Sequence, residues 1–180
     1  QVEGTLDPEN VEITLEALGS VPSVNPRITI NGLYDWYDID SMVAEATEGC
    51  TSDEEKALAI WEWVHWTRFQ RLTADDSALH PVRALNGYGY GICGNTASWI
   101  RALCRAAGIE ARVYEVTGHT ISEVYYGDAW HMLDGNAKTF YLARDNRTIA
   151  SVEDLEKDPW LIERTIHPQD PWIRKEDRPI

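Results

Sequence analysis

One glycine-rich stretch that leads directly into a helix constrains the fold of this chain most. The stretch is Tyr88-Gly89-Tyr90-Gly91-Ile92-Cys93-Gly94-Asn95, and a helical pattern over Thr96–Ala107 follows it. The first turn of a helix has unpaired backbone N–H groups and lies at the positive end of the helix macrodipole. A thiol at that place loses its proton more easily, and the thiolate is the reactive form. The stretch therefore predicts a nucleophilic Cys93 at a helix start, beside glycines that let a substrate backbone approach.

Two further helices are predicted on the N-terminal side of this stretch. Ser52 and Glu55 form a capping box that starts a helix over Thr51–Arg71, whose apolar residues as far as Phe69 indicate a wide buried face. A shorter helical pattern covers Asp38–Glu48 and ends near a glycine. Residues 72–91 contain Asp75-Asp76, a proline and three glycines. This composition predicts a long loop leading into the cysteine.

The C-terminal half predicts an antiparallel meander. Short apolar runs are separated by glycine-containing turns, and they cover 111–116, 120–126, 129–133 and 139–142. A capped helix is expected over Ser151–Lys157. At the two ends of the chain we expect a β extension over 1–33 and a proline-punctuated tail that wraps over 158–180. The 180 residues then form a single α+β domain with its core over roughly 52–142.

Composition excludes several classes of function. A net charge of −14 argues against nucleic acid or an anionic membrane as a partner. No apolar run reaches 18 residues, so no membrane span is predicted, and the first residues lack the pattern of a signal peptide. The three cysteines form no C-x-x-C, and the five histidines are scattered, so neither a metal nor a cofactor is predicted. The compartment, whether secreted, periplasmic or cytoplasmic, and the oligomeric state stay open.

Strand register provides partners for Cys93. If Gly127-Asp128 is a two-residue turn, Ile121 faces Asp134, and His119 is the diagonal neighbour of Asp134 on the same face. An imidazole beside a carboxylate is the arrangement that a general base and its orienting group need. Each residue also has a plainer interpretation: Cys93 as a buried structural thiol, His119 as an ordinary satisfied histidine, and Asp134 as a turn residue before Gly135.

Other residues near the predicted site are expected to have supporting or structural roles. Backbone N–H groups at the helix start, including that of Cys93, are expected to receive an oxyanion, and Gln70, Tyr88 and Tyr90 are candidate side-chain donors. Glu123 shares a strand face with His119 and is expected to be a solvated charge. His131 is expected to be structural, and Cys104 to lie on the inward stripe of its helix.

The ordered set of motifs resembles the transglutaminase-like superfamily. The motifs are Gly91-Ile92-Cys93, Arg105-Ala106-Ala107-Gly108-Ile109-Glu110-Ala111-Arg112, His119 through Val124 and Trp130 through Asp134. The resemblance implies a papain-like core with the cysteine helix packed on an antiparallel sheet. It also implies a Cys-His-Asp triad of Cys93, His119 and Asp134. Two positions depart from the family pattern: Ile121, where an aromatic residue is frequent, and Gly135, where a proline is frequent.

The expected function is thiol-dependent acyl transfer. Cys93 would attack a peptide, protein or other amide carbonyl and form a thioester, and no metal is needed for this step. Hydrolysis by a protease or amidase is favoured over amine transfer, because a small domain has no obvious means of excluding water. Two alternatives remain: a protein-crosslinking transglutaminase, and a non-catalytic binding or scaffold module that uses its tryptophans to hold a carbohydrate.

Overall fold

The computed structural model describes residues 18–20, 35–73 and 76–164. The described residues from 35 onward belong to one compact unit. Its elements in chain order are α1 (Ile39–Ala46), α2 (Asp53–Trp66), β1 (Phe69–Gln70), a 3-10 turn (Asp76–Leu79), α3 (Pro81–Gly87), β2 (Tyr90–Gly91), α4 (Cys93–Ala106), β3 (Ala111–Val116), β4 (His119–Tyr126), β5 (Ala129–Leu133), α5 (Val152–Lys157) and α6 (Trp160–Glu163).

The sheet is a three-stranded antiparallel meander in the order β3-β4-β5. Tyr126 pairs with Ala129 across a two-residue turn, as the sequence predicted. Both turn residues have positive φ, 55° at Gly127 and 63° at Asp128, which matches the twist that tight hairpins prefer. The turn therefore fixes the register that carries His119 toward Asp134.

Helix α4 packs on one face of this sheet and forms the centre of the core. It contacts β3, β4 and α2, and its buried residues include Trp99, Ile100 and Leu103, none of them exposed. Cys104 lies on the same inward stripe and is fully buried. The predicted α+β fold, with a cysteine-bearing helix on an antiparallel sheet, is confirmed.

The other face of the sheet has a smaller apolar cluster. Ile121 of β4 and Met132 of β5 pack there with Val152 and Leu155 of α5. Neighbouring residues of the same strands, such as Val124 and Leu133, belong instead to the core around α4. This alternation is the normal consequence of the pleat, and it makes the sheet the middle layer between α4 and α5.

The predicted helix over Thr51–Arg71 is too long. The capping box at Ser52 and Glu55 is present, but α2 ends at Trp66, and the next residue, Thr67, donates its hydroxyl to the Trp63 carbonyl at 2.9 Å. The backbone then pairs in parallel with β2. Consequently Trp66 and Phe69, which were expected on the buried face, are 70% and 82% exposed.

The structure also differs from three other expectations. The predicted loop over 72–91 contains the 3-10 turn and α3, because Pro81 occupies the first helical position, where its missing N–H costs nothing. The run 139–142 is not a fourth strand: only isolated bridges form, Asp134 with Thr139 and Leu142 with Ile149. In the expected tail, residues 160–163 form the short helix α6.

Several predictions fall outside the described residues. Most of the β extension expected over 1–33, and the tail beyond residue 164, are among them. Among the described residues, no helix is long and apolar enough to cross a membrane.

Candidate active site

Cys93 is the first residue of α4. Its backbone position is prepared by Asn95, whose side-chain oxygen accepts a hydrogen bond from the Ile92 N–H at 3.1 Å and so caps the helix start. Burial of the thiol opposes its ionisation, but hydrogen bonds from the Thr120 N–H, the His119 side chain and the Gly94 N–H outweigh this effect. The pKa of Cys93 therefore lies below its usual value, and the thiolate is favoured.

His119 is the first residue of β4 and lies between the thiol and a carboxylate. Its Nε2 is 2.6 Å from Oδ2 of Asp134, so Nδ1 is the ring nitrogen that remains for the thiol. Partial burial lowers the pKa of His119, but the hydrogen bond and charge of Asp134 and the contact with Cys93 raise it by more. The net pKa of His119 is raised, so its protonated form is more stable here than in a free imidazole.

Asp134 serves both as the partner of His119 and as a turn residue. Its Oδ1 accepts from the backbone N–H groups of Asn136 at 2.8 Å and Ala137 at 2.9 Å. Its Oδ2 is left for His119. The two interpretations of this residue in the sequence are therefore compatible, because the Asp-Gly-Asn turn is what holds the carboxylate in place.

Two side chains that the sequence analysis missed hold the loop around Asp134. Trp61 of α2 donates its indole N–H to the Asp134 carbonyl at 2.9 Å. Arg68, only 9% exposed, donates to the carbonyls of Gly135 at 2.9 Å, Asn136 at 3.3 Å and Gly91 at 3.4 Å. Burial lowers the pKa of this guanidinium, and the charge of Asp134 partly offsets the effect. Arg68 therefore ties the segment before Cys93 to the segment after Asp134.

The remaining candidates occupy the entry to α4. Gln70 is exposed and pairs with Gly91 in the short β1–β2 ladder. The Tyr90 ring packs edge-on against Tyr88. Gly91 is buried, and a Cβ there would lie 2.6 Å from the Trp99 ring. Close helix packing therefore requires this glycine, rather than space for a substrate. Gly89 and Gly94 are open positions, since each has nothing within 4 Å of a Cβ.

Of two residues near the site, Glu123 departs from its expectation and His131 does not. Glu123 is not solvated: it is fully buried, its Oε2 accepts from Arg112 Nε at 2.8 Å, and its Oε1 accepts from the Val152 N–H at 2.9 Å. Its role is to join the sheet to the start of α5. His131 is structural as expected, since it is buried and stacks on the Tyr126 ring.

The other thiols and the acidic residues form no second centre in the described residues. Burial raises the pKa of Cys104 to about 12, which makes this thiol unreactive. Within ranges 18–20, 35–73 and 76–164, no group of three or more histidine, cysteine or acidic side chains could hold a metal ion.

Comparison with known proteins gives the family. Residues 40–135 match the family model of the transglutaminase-like superfamily. The chain belongs to this superfamily. The match contains all three residues Cys93, His119 and Asp134. A comparison with the curated proteins gives no match.

Solved structures similar to this transglutaminase-like chain include three larger proteins. A "putative cysteine protease" from Cytophaga hutchinsonii is 22% identical, with a TM-score of 0.47 over 58% of this chain and 38% of that one. A "putative protease" from Parabacteroides distasonis is 12% identical, with a TM-score of 0.44 over 55% of this chain and 23% of that one. A "TGase" is 19% identical, with a TM-score of 0.44 over 62% of this chain and 34% of that one. The chain thus spans well under half the length of each.

Proposed function

We propose that this protein is a cysteine-dependent acyl-transfer enzyme that acts on amide or peptide carbonyls, with Cys93 as nucleophile, His119 as general base and acid, and Asp134 as orienting carboxylate. The observation that carries the proposal is the position of His119. Its imidazole is bonded to Asp134 through Nε2 and contacts the Cys93 thiol with the remaining nitrogen. A structural histidine has no need of both partners in this order.

The proposed reaction begins with the Cys93 thiolate and the His119 imidazolium. The sulfur attacks the carbonyl carbon, and the C–O double bond opens to a tetrahedral oxyanion. The oxyanion then collapses, the C–N bond breaks, and His119 gives its proton to the departing nitrogen. A thioester on Cys93 and a free amine or ammonia result. Asp134 stays ionised and stabilises the imidazolium before and between these steps.

Stabilisation of the oxyanion is assigned to the start of α4. The backbone N–H of Cys93 belongs to the first turn, where no intrahelical partner exists. Gln70 is the side-chain donor that we favour, because its pairing with Gly91 places it beside the segment that leads into the nucleophile. Tyr90 and Tyr88 remain less direct candidates, since their rings pack on each other.

The thioester can be released by water or by an amine. In both cases neutral His119 removes a proton from the attacking O–H or N–H, and Cys93 leaves as the thiolate. We favour hydrolysis, so that the enzyme is a protease or amidase, because Cys93 and His119 are both partly exposed to solvent. Incubating the enzyme and an amide substrate with added primary amine distinguishes the routes, since amine transfer gives a product heavier than the acid.

The proposal is tested by alkylation with iodoacetamide across pH, with the modified cysteines identified by mass spectrometry. We expect Cys93 to react well below the ~8.5 pKa of a free thiol, and His119→Ala to move its profile to higher pH. Buried Cys104 is the internal control and stays unmodified. If Cys93 reacts like an ordinary thiol and His119→Ala makes no difference, the triad is not functional and the non-catalytic alternative is favoured.

A panel of amide and peptide substrates then tests turnover. Cys93→Ala should abolish acid or ammonia release on every substrate that the wild type cleaves. Residual release in Cys93→Ala equal to the wild-type rate would assign the activity to another site.

A further inference from the structure

A cavity of about 730 Å³ adjoins the candidate triad, and we call it the sheet groove. His119 and Asp134 form part of its wall, and Ile121, Met132 and Leu155 are among its apolar lining residues. These three apolar residues belong to the cluster between the sheet and α5. The sheet groove therefore lies on the face of the sheet away from α4. It reaches the candidate triad at His119 and Asp134, which are in its wall.

The sheet groove has the properties of a ligand site. Ligand pockets have volumes of about 300–1,000 Å³, apolar walls and a few polar groups near a functional residue. At the rim, Val116 and Ile162 are 38% and 43% exposed although they are apolar. Exposed apolar residues around a concave apolar surface indicate a surface that a partner covers.

The charged residues at the rim indicate which charge the partner carries. Glu115 and Glu156 are both exposed and line the sheet groove. Among the described residues that line it there is neither lysine nor arginine, and the histidine in its wall, His119, is bonded to the carboxylate of Asp134. With a net charge of −14 on the whole chain, the local potential favours a cation and disfavours an acidic ligand.

We propose that the sheet groove binds an apolar side chain of a peptide substrate that carries a lysine or arginine next to that side chain. The inference rests on the proposed function, because His119 in the wall places the occupant beside the carbonyl that Cys93 attacks. The apolar side chain is buried against Ile121, Met132 and Leu155, and the neighbouring cation meets Glu115 and Glu156. The groove thereby selects substrates by sequence, separately from the chemistry at the thiol.

Binding is measured on the full chain with Cys93→Ala, so that no turnover interferes. The probe is a fluorescein-labelled pentapeptide amide of sequence glycine-glutamine-leucine-lysine-glycine, followed by fluorescence anisotropy. Replacing its leucine by serine should weaken binding about tenfold or more, since the buried apolar area is lost. Replacing its lysine by glutamate should weaken binding about fivefold, and added salt should reduce this difference.

Matched variants assign the effect to the sheet groove. Ile162→Lys should weaken binding of the leucine peptide, whereas Leu79→Lys, at an apolar residue that is 50% exposed and outside the groove, should not. Glu115→Lys should weaken binding of the lysine peptide and strengthen binding of the glutamate peptide. The exposed Glu110, also outside the groove, provides the control Glu110→Lys, which should not invert this preference.

Equal binding of the three peptides, or equal effects of Ile162→Lys and Leu79→Lys, would overturn the inference. So would a monomer–dimer equilibrium that Ile162→Lys abolishes without affecting the peptides, because the occupant would then be a second copy of the chain. These outcomes are separate from the alkylation test. If Cys93 is activated but peptide binding does not depend on the sheet groove, only the inference about the groove is refuted. If peptide binding depends on the groove but Cys93 reacts like an ordinary thiol, only the proposed chemistry is refuted.

Discussion

The change Arg68→Met tests whether one buried guanidinium holds the two halves of the candidate site together. Methionine keeps the apolar stem and removes the charge and the donors. The bond to the Gly135 carbonyl is short at 2.9 Å, whereas those to Asn136 and Gly91 are longer, at 3.3 and 3.4 Å. The Gly91 carbonyl keeps another donor, the Arg71 N–H at 3.2 Å. The loss is therefore close to one charge-assisted hydrogen bond, about 1.5–3 kcal/mol.

Urea unfolding measures this loss. With a slope of about 1–3 kcal/mol/M for small proteins, the midpoint should fall by about 1 M without a change in slope. Arg83→Met, at an exposed arginine of α3, is the matched control and should stay within about 0.5 kcal/mol of wild type. Arg68→Lys should recover part of the stability, because one ammonium cannot span all three carbonyls. If Arg68→Met and Arg83→Met have equal midpoints, Arg68 does not tie these segments together.

Three further predictions follow from contacts around the site. Gly91→Ala places a Cβ 2.6 Å from an indole carbon and should lower the free energy of unfolding in urea by about 1–3 kcal/mol. Gly94→Ala, where a Cβ has open space, should leave the free energy of unfolding unchanged or raise it slightly. Equal losses in the two variants would contradict the packing argument. Glu123→Gln removes the ion pair between buried Glu123 and half-exposed Arg112 and should lower the free energy of unfolding by about 1–2 kcal/mol at pH 7. A change below about 0.5 kcal/mol would show that this pair is not stabilising. His119 has a raised pKa in the folded protein, so its stabilising contribution is complete below the unfolded value of about 6.5 and is lost as pH rises through the folded value. Asp134→Asn should weaken this pH dependence in urea titrations at pH 5 to 9, because Asp134 is the larger of the two groups that raise the pKa of His119, and an unchanged dependence would assign it to another group.

Local rules were sufficient to predict the parts of the fold that a few neighbouring residues determine. Gly127-Asp128 favours the two-residue hairpin turn in which both residues have positive φ, and this turn pairs Tyr126 with Ala129. The capping motifs at Ser52 and Ser151 start helices as predicted. From that register the proximity of His119 and Asp134 follows directly, and they are 2.6 Å apart.

Residues whose environment depends on distant segments were not predictable in this way. Phe69 fits the apolar period of α2, but its backbone pairs with Gly89, and that partner is set by the whole chain path. Glu123 has the pattern of a solvated strand residue; only the positions of Arg112 and the start of α5 make its burial favourable. Arg68 carried a weak signal, since it is a charged residue directly before Phe69 in a segment rich in tryptophan.

Each residue of the candidate triad is held in position by its own local contacts. Cys93 is fixed by the start of a fully packed helix, and His119 by the first pair of a two-residue hairpin turn, Val116 with His119. Asp134 is held by two N–H groups of its own turn, by the indole of Trp61 and by backbone hydrogen bonds to Thr139. Each residue is thus positioned by contacts that exist without substrate. Under the proposed function, such preorganisation holds the nucleophile, the base and its orienting carboxylate in place before a substrate binds, and substrate selection would then depend on surfaces beside the triad, of which the sheet groove reaches His119.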